Sequence, residues 1–178
     1  FYKGEGVRSI TTYFQFAGPN AKTAALDQLK KAKQLEKSGV NNEEIRQQTG
    51  WFKGFDDKWR FEISDKDADF ANGYNPDEWK KNGVVFNGLT FKLGKILKHD
   101  NLFAAYPQLK DVVVEYTRRL SDGALGNFTP SENKIYIDST MSADKIKDVL
   151  LHEIQHAIQV TEGFAMGGTE ESAVEALR

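Results

Sequence analysis

The chain has 178 residues, no cysteine, and 24 basic against 26 acidic residues, for a formal net charge of -2. The lack of cysteine excludes disulfides, thiolate metal ligands and cysteine nucleophiles, and the balanced charge provides no global field to attract nucleic acid or a membrane surface. No apolar run approaches the roughly 20 residues that span a bilayer, and the first residues lack a signal-peptide pattern. We therefore expect a cytoplasmic protein and, since there is no initiator Met, a fragment of a larger one.

The first part of the chain, residues 1–81, predicts two helices followed by strands. Leucine and alanine recur at three-residue steps within residues 21–39 while lysines occupy the other positions, which predicts an amphipathic helix. Asn42 is expected to cap a second, short helix that ends at Gly50.

Aromatic and apolar residues alternate with polar residues from Trp59 to Ser64, which is the pattern of a half-buried strand. The tryptophans at positions 51 and 59 are interpreted as core residues rather than as an aromatic binding face. Residues 65–82 are rich in Asp, Asn, Gly and Pro, so we expect a loop and an internal boundary there.

The second part, residues 82–178, predicts two hairpins around a buried strand. Residues 84–93 form the first predicted hairpin, with Asn-Gly at its turn. Residues 111–116 form an apolar run typical of a buried strand. Residues 124–138 form the second predicted hairpin, because two strand-like segments flank a Pro-Ser-Glu-Asn turn.

A long helix follows, over residues 143–160 with Ser142 as its cap, and it carries two of the three histidines. His152 and His156 are four residues apart, so both imidazoles lie on one helix face and can reach a single Zn²⁺ ion. Glu153 lies one step around the helix, where it can take a proton from a metal-bound water. The alternative is a solvated polar stripe, but the many apolar neighbours indicate a packed helix. The sequence thus predicts a zinc site with Glu153 as general base.

The third ligand stays open among three glutamates, because a catalytic zinc site usually takes three protein ligands. Glu171 and Glu175 are four residues apart on a predicted later helix, so one could bind zinc while the other orients a histidine. Glu162 would reach the metal if the long helix ended near Val160 and the chain folded back. A ligand beyond Arg178 is a further alternative.

Two expectations concern the histidines individually. His99 has no metal-binding partner nearby in sequence and precedes Asp-Asn, so we expect it in a surface loop. His152 and His156 must be neutral to bind zinc, so acid below about their ordinary pKa of 6.5 should release the metal.

Longer stretches around these residues resemble the predicted metallopeptidase domains of polyvalent proteins, which are large multidomain proteins of phages and conjugative elements. Residues 149–168, around the His-Glu-Ile-Gln-His motif, carry the resemblance, and residues 44–65 and 102–109 resemble the segments before the peptidase region. The resemblance implies zinc ligation by His152 and His156 and catalysis by Glu153. It also implies action on the parent polypeptide or on host proteins, in an infected or recipient cell. The family's later acidic motif is matched only in part, around Glu175.

We therefore expect an α+β, zincin-like fold in which a small antiparallel sheet packs on the metal-binding helix, with N-terminal helices and a β-hairpin outside it. Residues 134–138 are expected to form a strand at the cleft, where an exposed edge could hold an extended peptide. The expected partners are a protein or peptide substrate and other domains of the parent chain, without nucleic acid or membrane. The alternatives are a non-catalytic interaction module and a hydrolase of non-peptide amides or esters.

Overall fold

The computed structural model describes residues 2–3, 14–118 and 120–165, which form ten strands and six α-helices. The strands are β1 (Tyr2–Lys3), β2 (Phe14–Ala17), β3 (Phe52–Lys53), β4 (Trp59–Ser64), β5 (Asp69–Phe70), β6 (Thr90–Lys92), β7 (Leu97–Lys98), β8 (Val113–Thr117), β9 (Ala124–Thr129) and β10 (Lys134–Asp138). The helices are α1 (Leu26–Lys37), α2 (Asn42–Thr49), α3 (Pro76–Lys81), α4 (Leu93–Ile96), α5 (Asp100–Ala105) and α6 (Ala143–Glu162). This mixture of small sheets and helices is the expected α+β class.

The largest sheet has the strand order β1-β9-β10-β8-β6, and α6 packs against it. Side chains alternate along β8 and β10, so one face of each strand is buried while the other faces outward. The buried face joins the apolar face of α6 in one core, in which complete burial stabilises each large apolar side chain by about 1.5–3 kcal/mol. The core residues include Val114, Tyr116, Ile135, Ile137, Ile146, Leu150, Ile154 and Ile158.

The prediction of an antiparallel sheet is corrected in one respect, because β10 runs parallel to β8. The hairpin of β9 and β10 is confirmed, and it inserts β10 between β9 and β8. Residues 134–138 form a strand as predicted, but β10 is hydrogen-bonded on both sides, so it is not the exposed edge that the peptide-binding hypothesis required. Among the described residues the edge strands of this sheet are β1 and β6.

The first predicted hairpin is also wrong. Of residues 84–93, Thr90–Lys92 form β6, which pairs with β8, and the partner segment before it is not a strand. The Gly88 N–H donates to the carbonyl of Tyr116 at 2.7 Å, so this turn is bonded to β8. Val85 is left 76% exposed. Pairing with a distant strand has replaced the local pairing that Asn-Gly favoured.

The N-terminal elements form a smaller layer beside the sheet. β2, β4 and β3 make a three-stranded sheet, and β5 pairs with β7. Trp51 is buried between α1 and α2 in a second core, as predicted, together with Leu29, Ala32 and Ile45. Ala17, Ala21, Ile63 and Ala68 belong to the main core, so residues on both sides of position 81 share it.

The two N-terminal helices differ from prediction at their ends. α1 starts at Leu26 rather than near residue 21, and Leu26 itself is exposed. Asn41, not Asn42, caps α2: its backbone is extended and its side chain accepts from the Glu44 N–H at 2.9 Å. The Asn42 side chain instead bonds both the N–H and the carbonyl of Lys53, which ties α2 to β3.

No helix in the described part of the chain combines the length and the apolar character needed to cross a membrane.

Candidate metal centre

The helix that carries the histidines has well-defined ends. The Ser142 side chain accepts a hydrogen bond from the Lys145 N–H, as predicted. The negative charge of Asp144 in the first turn interacts favourably with the positive end of the helix dipole. At the other end Gly163 adopts φ +69°, a left-handed conformation that suits glycine. Between these ends most side chains are buried, and His152 and His156 are half-buried on one open stripe.

The two imidazoles approach each other through their Nε2 atoms. His152 Nε2 and His156 Nε2 are 3.2 Å apart, and the ring planes are inclined by 82°. Glu153 is fully buried beside them, and one potential ligand atom from each of the three residues lies within 4.8 Å of the others. Within the described ranges no other group of three His, Asp or Glu residues meets this spacing.

The spacing of the two Nε2 atoms fits a zinc ion. Zinc binds imidazole nitrogen at about 2.0–2.1 Å with near-tetrahedral angles, which places two ligand nitrogens about 3.3 Å apart. The 3.2 Å between the Nε2 atoms of His152 and His156 agrees with that value. Without metal, the same contact is a hydrogen bond in which one imidazole donates to the other.

Both histidines are held in the neutral form that metal binding requires. Burial lowers the pKa of His152 to about 4, and the nearby His156 acts in the same direction. Burial also lowers the pKa of His156, while its hydrogen bond to Gln159 acts in the opposite direction. The release of zinc by acid is therefore expected well below pH 6.5, because protons compete weakly for His152.

Glu153 lies against β9 at Gly126, which has no side chain. A Cβ atom on Gly126 would lie 3.3 Å from Glu153 Oε1 and 2.5 Å from Val149 Cγ1. Glycine thus lets β9 approach the carboxylate closely. Gly126 was not among the predicted site residues, although an isolated glycine inside a predicted strand is a signal of close approach.

The residues between the motif positions fix α6 to its two neighbours. Ile154 is buried in the core with the sheet. The Gln155 side chain accepts from the Phe16 N–H at 2.6 Å and donates to the Phe16 carbonyl at 3.1 Å, as a further β-strand partner would. Gln15 Nε2 donates to the carbonyl of Leu151 at 2.9 Å. β2 therefore holds the turn of α6 that presents the histidines.

Glu162 does not join the histidines. α6 continues through Glu162, so the early helix end that this candidate ligand required is absent. Six residues beyond His156 correspond to a rotation of about 240° around the helix. The Glu162 carboxylate instead accepts from the Tyr106 hydroxyl at 2.7 Å and from the Asn20 N–H at 3.0 Å. It anchors the end of α6 to the loop after β2. The other two candidates, Glu171 and Glu175, lie outside the described residues.

The expectation of a surface position for His99 is wrong. Only 5% of His99 is exposed, and its Nε2 atom lies 2.7 Å from Asp65 Oδ1. Its Nδ1 accepts from the Leu102 N–H, so His99 caps α5 and donates from Nε2. Burial raises the pKa of Asp65, while the hydrogen bonds from His99 and from the Gln15 amide oppose this change. This pair joins the loop after β4 to α5.

Comparison with known proteins gives one match. No curated protein and no solved structure matches the chain. The sequence model of a family described as large polyvalent protein associated domain 23 matches residues 14–71, from the start of β2 to just beyond β5. The match covers the N-terminal layer and stops before the helix that carries His152 and His156. Residues 14–71 are thus similar to a domain associated with large polyvalent proteins.

Proposed function

We propose that this chain is a zinc-dependent peptidase in which His152 and His156 bind the metal and Glu153 is the general base. The observation that carries the proposal is the convergence of two Nε2 atoms, 3.2 Å apart, next to a buried carboxylate. Two neutral imidazoles can supply two of the three protein ligands of a catalytic zinc site, and the carboxylate can supply the base.

When bound, zinc acts as a Lewis acid that lowers the pKa of water and polarises a carbonyl group. The chain's own contribution is the transfer of protons. Glu153 takes a proton from the attacking water on a carboxylate oxygen and delivers it to the amine that leaves. The contact between Glu153 and Gly126 restricts where this carboxylate can lie. A rigid base is suited to both transfers, since its oxygen must remain within hydrogen-bonding distance of the water and the amine.

The third ligand is proposed to come from the segment after the described residues. His152 and His156 supply two ligands, and a catalytic zinc site takes three. Glu162 is occupied by Tyr106 and Asn20. Glu171 and Glu175, which are four residues apart in the sequence, therefore remain the preferred candidates.

A protein or peptide substrate is favoured by the strand beside the base. β9 approaches Glu153 at Gly126, where its outer edge is paired with Tyr2 of β1, and among the described residues the outer edge of residues 127–129 has no strand partner. An extended peptide can add to such an edge through main-chain hydrogen bonds. We propose that substrates lie along β9 rather than along β10, whose two edges are occupied. Given the family matched by residues 14–71, the parent polypeptide is the first candidate substrate.

The test is cleavage of a diverse peptide mixture by the zinc-loaded chain, read by mass spectrometry, with Glu153→Gln as the matched control. The proposal predicts cleavage by the wild type and its loss in the variant, with zinc content unchanged. Zinc binding without any cleavage would instead support a non-catalytic module with a structural metal. Equal cleavage by both chains would show that the activity does not come from Glu153.

A further inference from the structure

One buried polar side chain contacts a proposed ligand directly. Gln159 lies three residues after His156 on α6 and is 6% exposed. Its Oε1 atom is 2.8 Å from His156 Nδ1. Positions three apart on a helix are neighbours, so this contact forms within the helix itself.

The contact determines which ring nitrogen of His156 carries the proton. An amide oxygen only accepts hydrogen bonds, so a bond to Gln159 Oε1 requires a proton on His156 Nδ1. In the neutral ring the lone pair is then on Nε2, the atom that points toward His152. The other tautomer would direct an N–H into the site and prevent ligation through Nε2.

We propose that Gln159 is a positioning residue that holds His156 in the Nδ1-protonated tautomer, with the Nε2 lone pair directed toward the metal position. The consequence for zinc affinity rests on the proposed function, but the tautomer itself can be measured without metal. Outer groups that bond a ligand histidine in this way fix the ring and raise its basicity.

Gln155 provides a matched control on the same helix. It is 5% exposed, and its amide bonds the backbone of Phe16 instead of an imidazole. Replacing either glutamine by Met removes a buried amide and preserves much of the side-chain volume. Only the change at Gln159 removes the hydrogen bond to His156.

The first experiment is nitrogen-15 NMR of the imidazole rings in the metal-free chain above pH 7, where His156 is neutral. The wild type is expected to show His156 protonated on Nδ1, and Gln155→Met is expected to retain this signature. Gln159→Met is expected to shift the population toward protonation on Nε2. A wild-type His156 protonated mainly on Nε2, or a population unaffected by Gln159→Met, would overturn the proposal.

The second experiment measures zinc affinity by competition with a chromophoric chelator. Gln159→Met is expected to weaken zinc binding by about 10–100-fold, the usual effect of losing such a partner. Gln159→Glu should restore binding, since a carboxylate also accepts from Nδ1–H. Gln155→Met should lower thermal stability and weaken zinc binding less than Gln159→Met does, because the Gln155 amide bonds the backbone of Phe16 and not an imidazole.

The two readouts separate failure of this inference from failure of the proposed function. A wild type with the expected tautomer that binds no zinc would contradict the zinc site and leave the tautomer assignment standing. Equal losses of affinity in Gln155→Met and Gln159→Met would show that Gln159 acts only through packing, and this result would overturn the positioning role.

Discussion

The N-terminal layer, residues 14–71, and the open stripe of α6 use buried polar groups in opposite ways. In the layer, buried charged side chains have hydrogen-bond partners: Arg60 bonds Asp56 at 2.6 Å, and Asp65 bonds Gln15 and, outside the layer, His99. On the stripe, two histidines face each other, and burial lowers the pKa of both. The paired groups fix one structure, while the two imidazoles bring their Nε2 atoms together, where a cation could replace the hydrogen bond between them.

The three histidines illustrate this difference through the hydrogen bonds on their ring nitrogens. His99 has a hydrogen-bond partner on each ring nitrogen, from Asp65 and from Leu102, so it has no lone pair for a ligand. His156 uses Nδ1 for Gln159 and directs Nε2 to His152. In this molecule a structural histidine therefore has both ring nitrogens bonded to other parts of the fold, whereas the proposed ligand His156 keeps Nε2 for the metal position.

The largest expected effect is a loss of peptide cleavage when Glu153 is replaced. Glu153→Gln preserves shape and removes the base, so peptide cleavage should fall by about 100- to 10,000-fold, the range for a lost general base. Zinc content should not change. Parallel measurements of kcat/KM and bound zinc check this, and a variant that retains more than a tenth of wild-type kcat/KM would contradict the role of Glu153.

The next largest expected effect is a loss of stability when the buried pair of Asp65 and His99 is disrupted. His99→Leu removes one of two side-chain donors to the buried Asp65 carboxyl and leaves the Gln15 amide, which should lower the free energy of unfolding by up to about 3 kcal/mol. The double variant Asp65→Leu, His99→Leu should lose less than the sum of the two single changes, because each single change leaves the other member of the pair buried without it. Urea denaturation of the four chains measures the coupling. Additive losses would show that the two side chains do not interact.

Acid should destabilise the metal-free chain by protonating the half-buried His152 on α6. The folded chain holds the pKa of His152 at about 4, below the ordinary value of 6.5, so the unfolded chain binds more protons between these values. This contribution to stability is full above pH 6.5 and is lost as the pH falls toward 4, by a total of about 3 kcal/mol.

Thermal unfolding of metal-free wild type and His152→Asn between pH 7 and pH 4 provides the measurement. Asn does not titrate, so the variant should lose less stability over this range. The same pH dependence in both chains would show that His152 is not the group responsible.

The smallest effect tests the contact between sheet and base. Gly126→Ala places a Cβ 2.5 Å from Val149 Cγ1, so neighbouring groups must shift, at a cost of about 1–3 kcal/mol. Because Glu153 lies in the same contact, cleavage should decrease while zinc binding is retained. Stability by calorimetry and cleavage by peptide assay check the two parts. Unchanged activity would contradict a role for Gly126 in placing the base.

Local patterns predicted the parts of the fold that local interactions determine. The Ser142 cap, the hairpin of β9 and β10 and the burial of Trp51 all followed from short sequence signals. The first predicted hairpin does not form because Gly88 pairs with a strand almost thirty residues later, a contact that the Asn-Gly turn signal does not contain.

The site was predictable only where helical spacing carried the information. His152, Glu153 and His156 come together because they share one helix. The roles of Gly126 and of His99 depend on contacts across the fold, and Asp65 is 34 residues from His99 in sequence. Glu162, one of the candidate third ligands, is unsuitable because the helix extends beyond Val160, and its end is determined by Gly163.

The most direct test of the zinc site is metal content by mass spectrometry on purified chain incubated with zinc, with His152→Ala and Glu153→Ala in parallel. We predict about one zinc per chain in the wild type and in Glu153→Ala, and its loss in His152→Ala, because two converging imidazoles form the core of the site. Wild-type chain without zinc, or zinc retained in full by His152→Ala, would contradict the assignment of His152 and His156 as metal ligands.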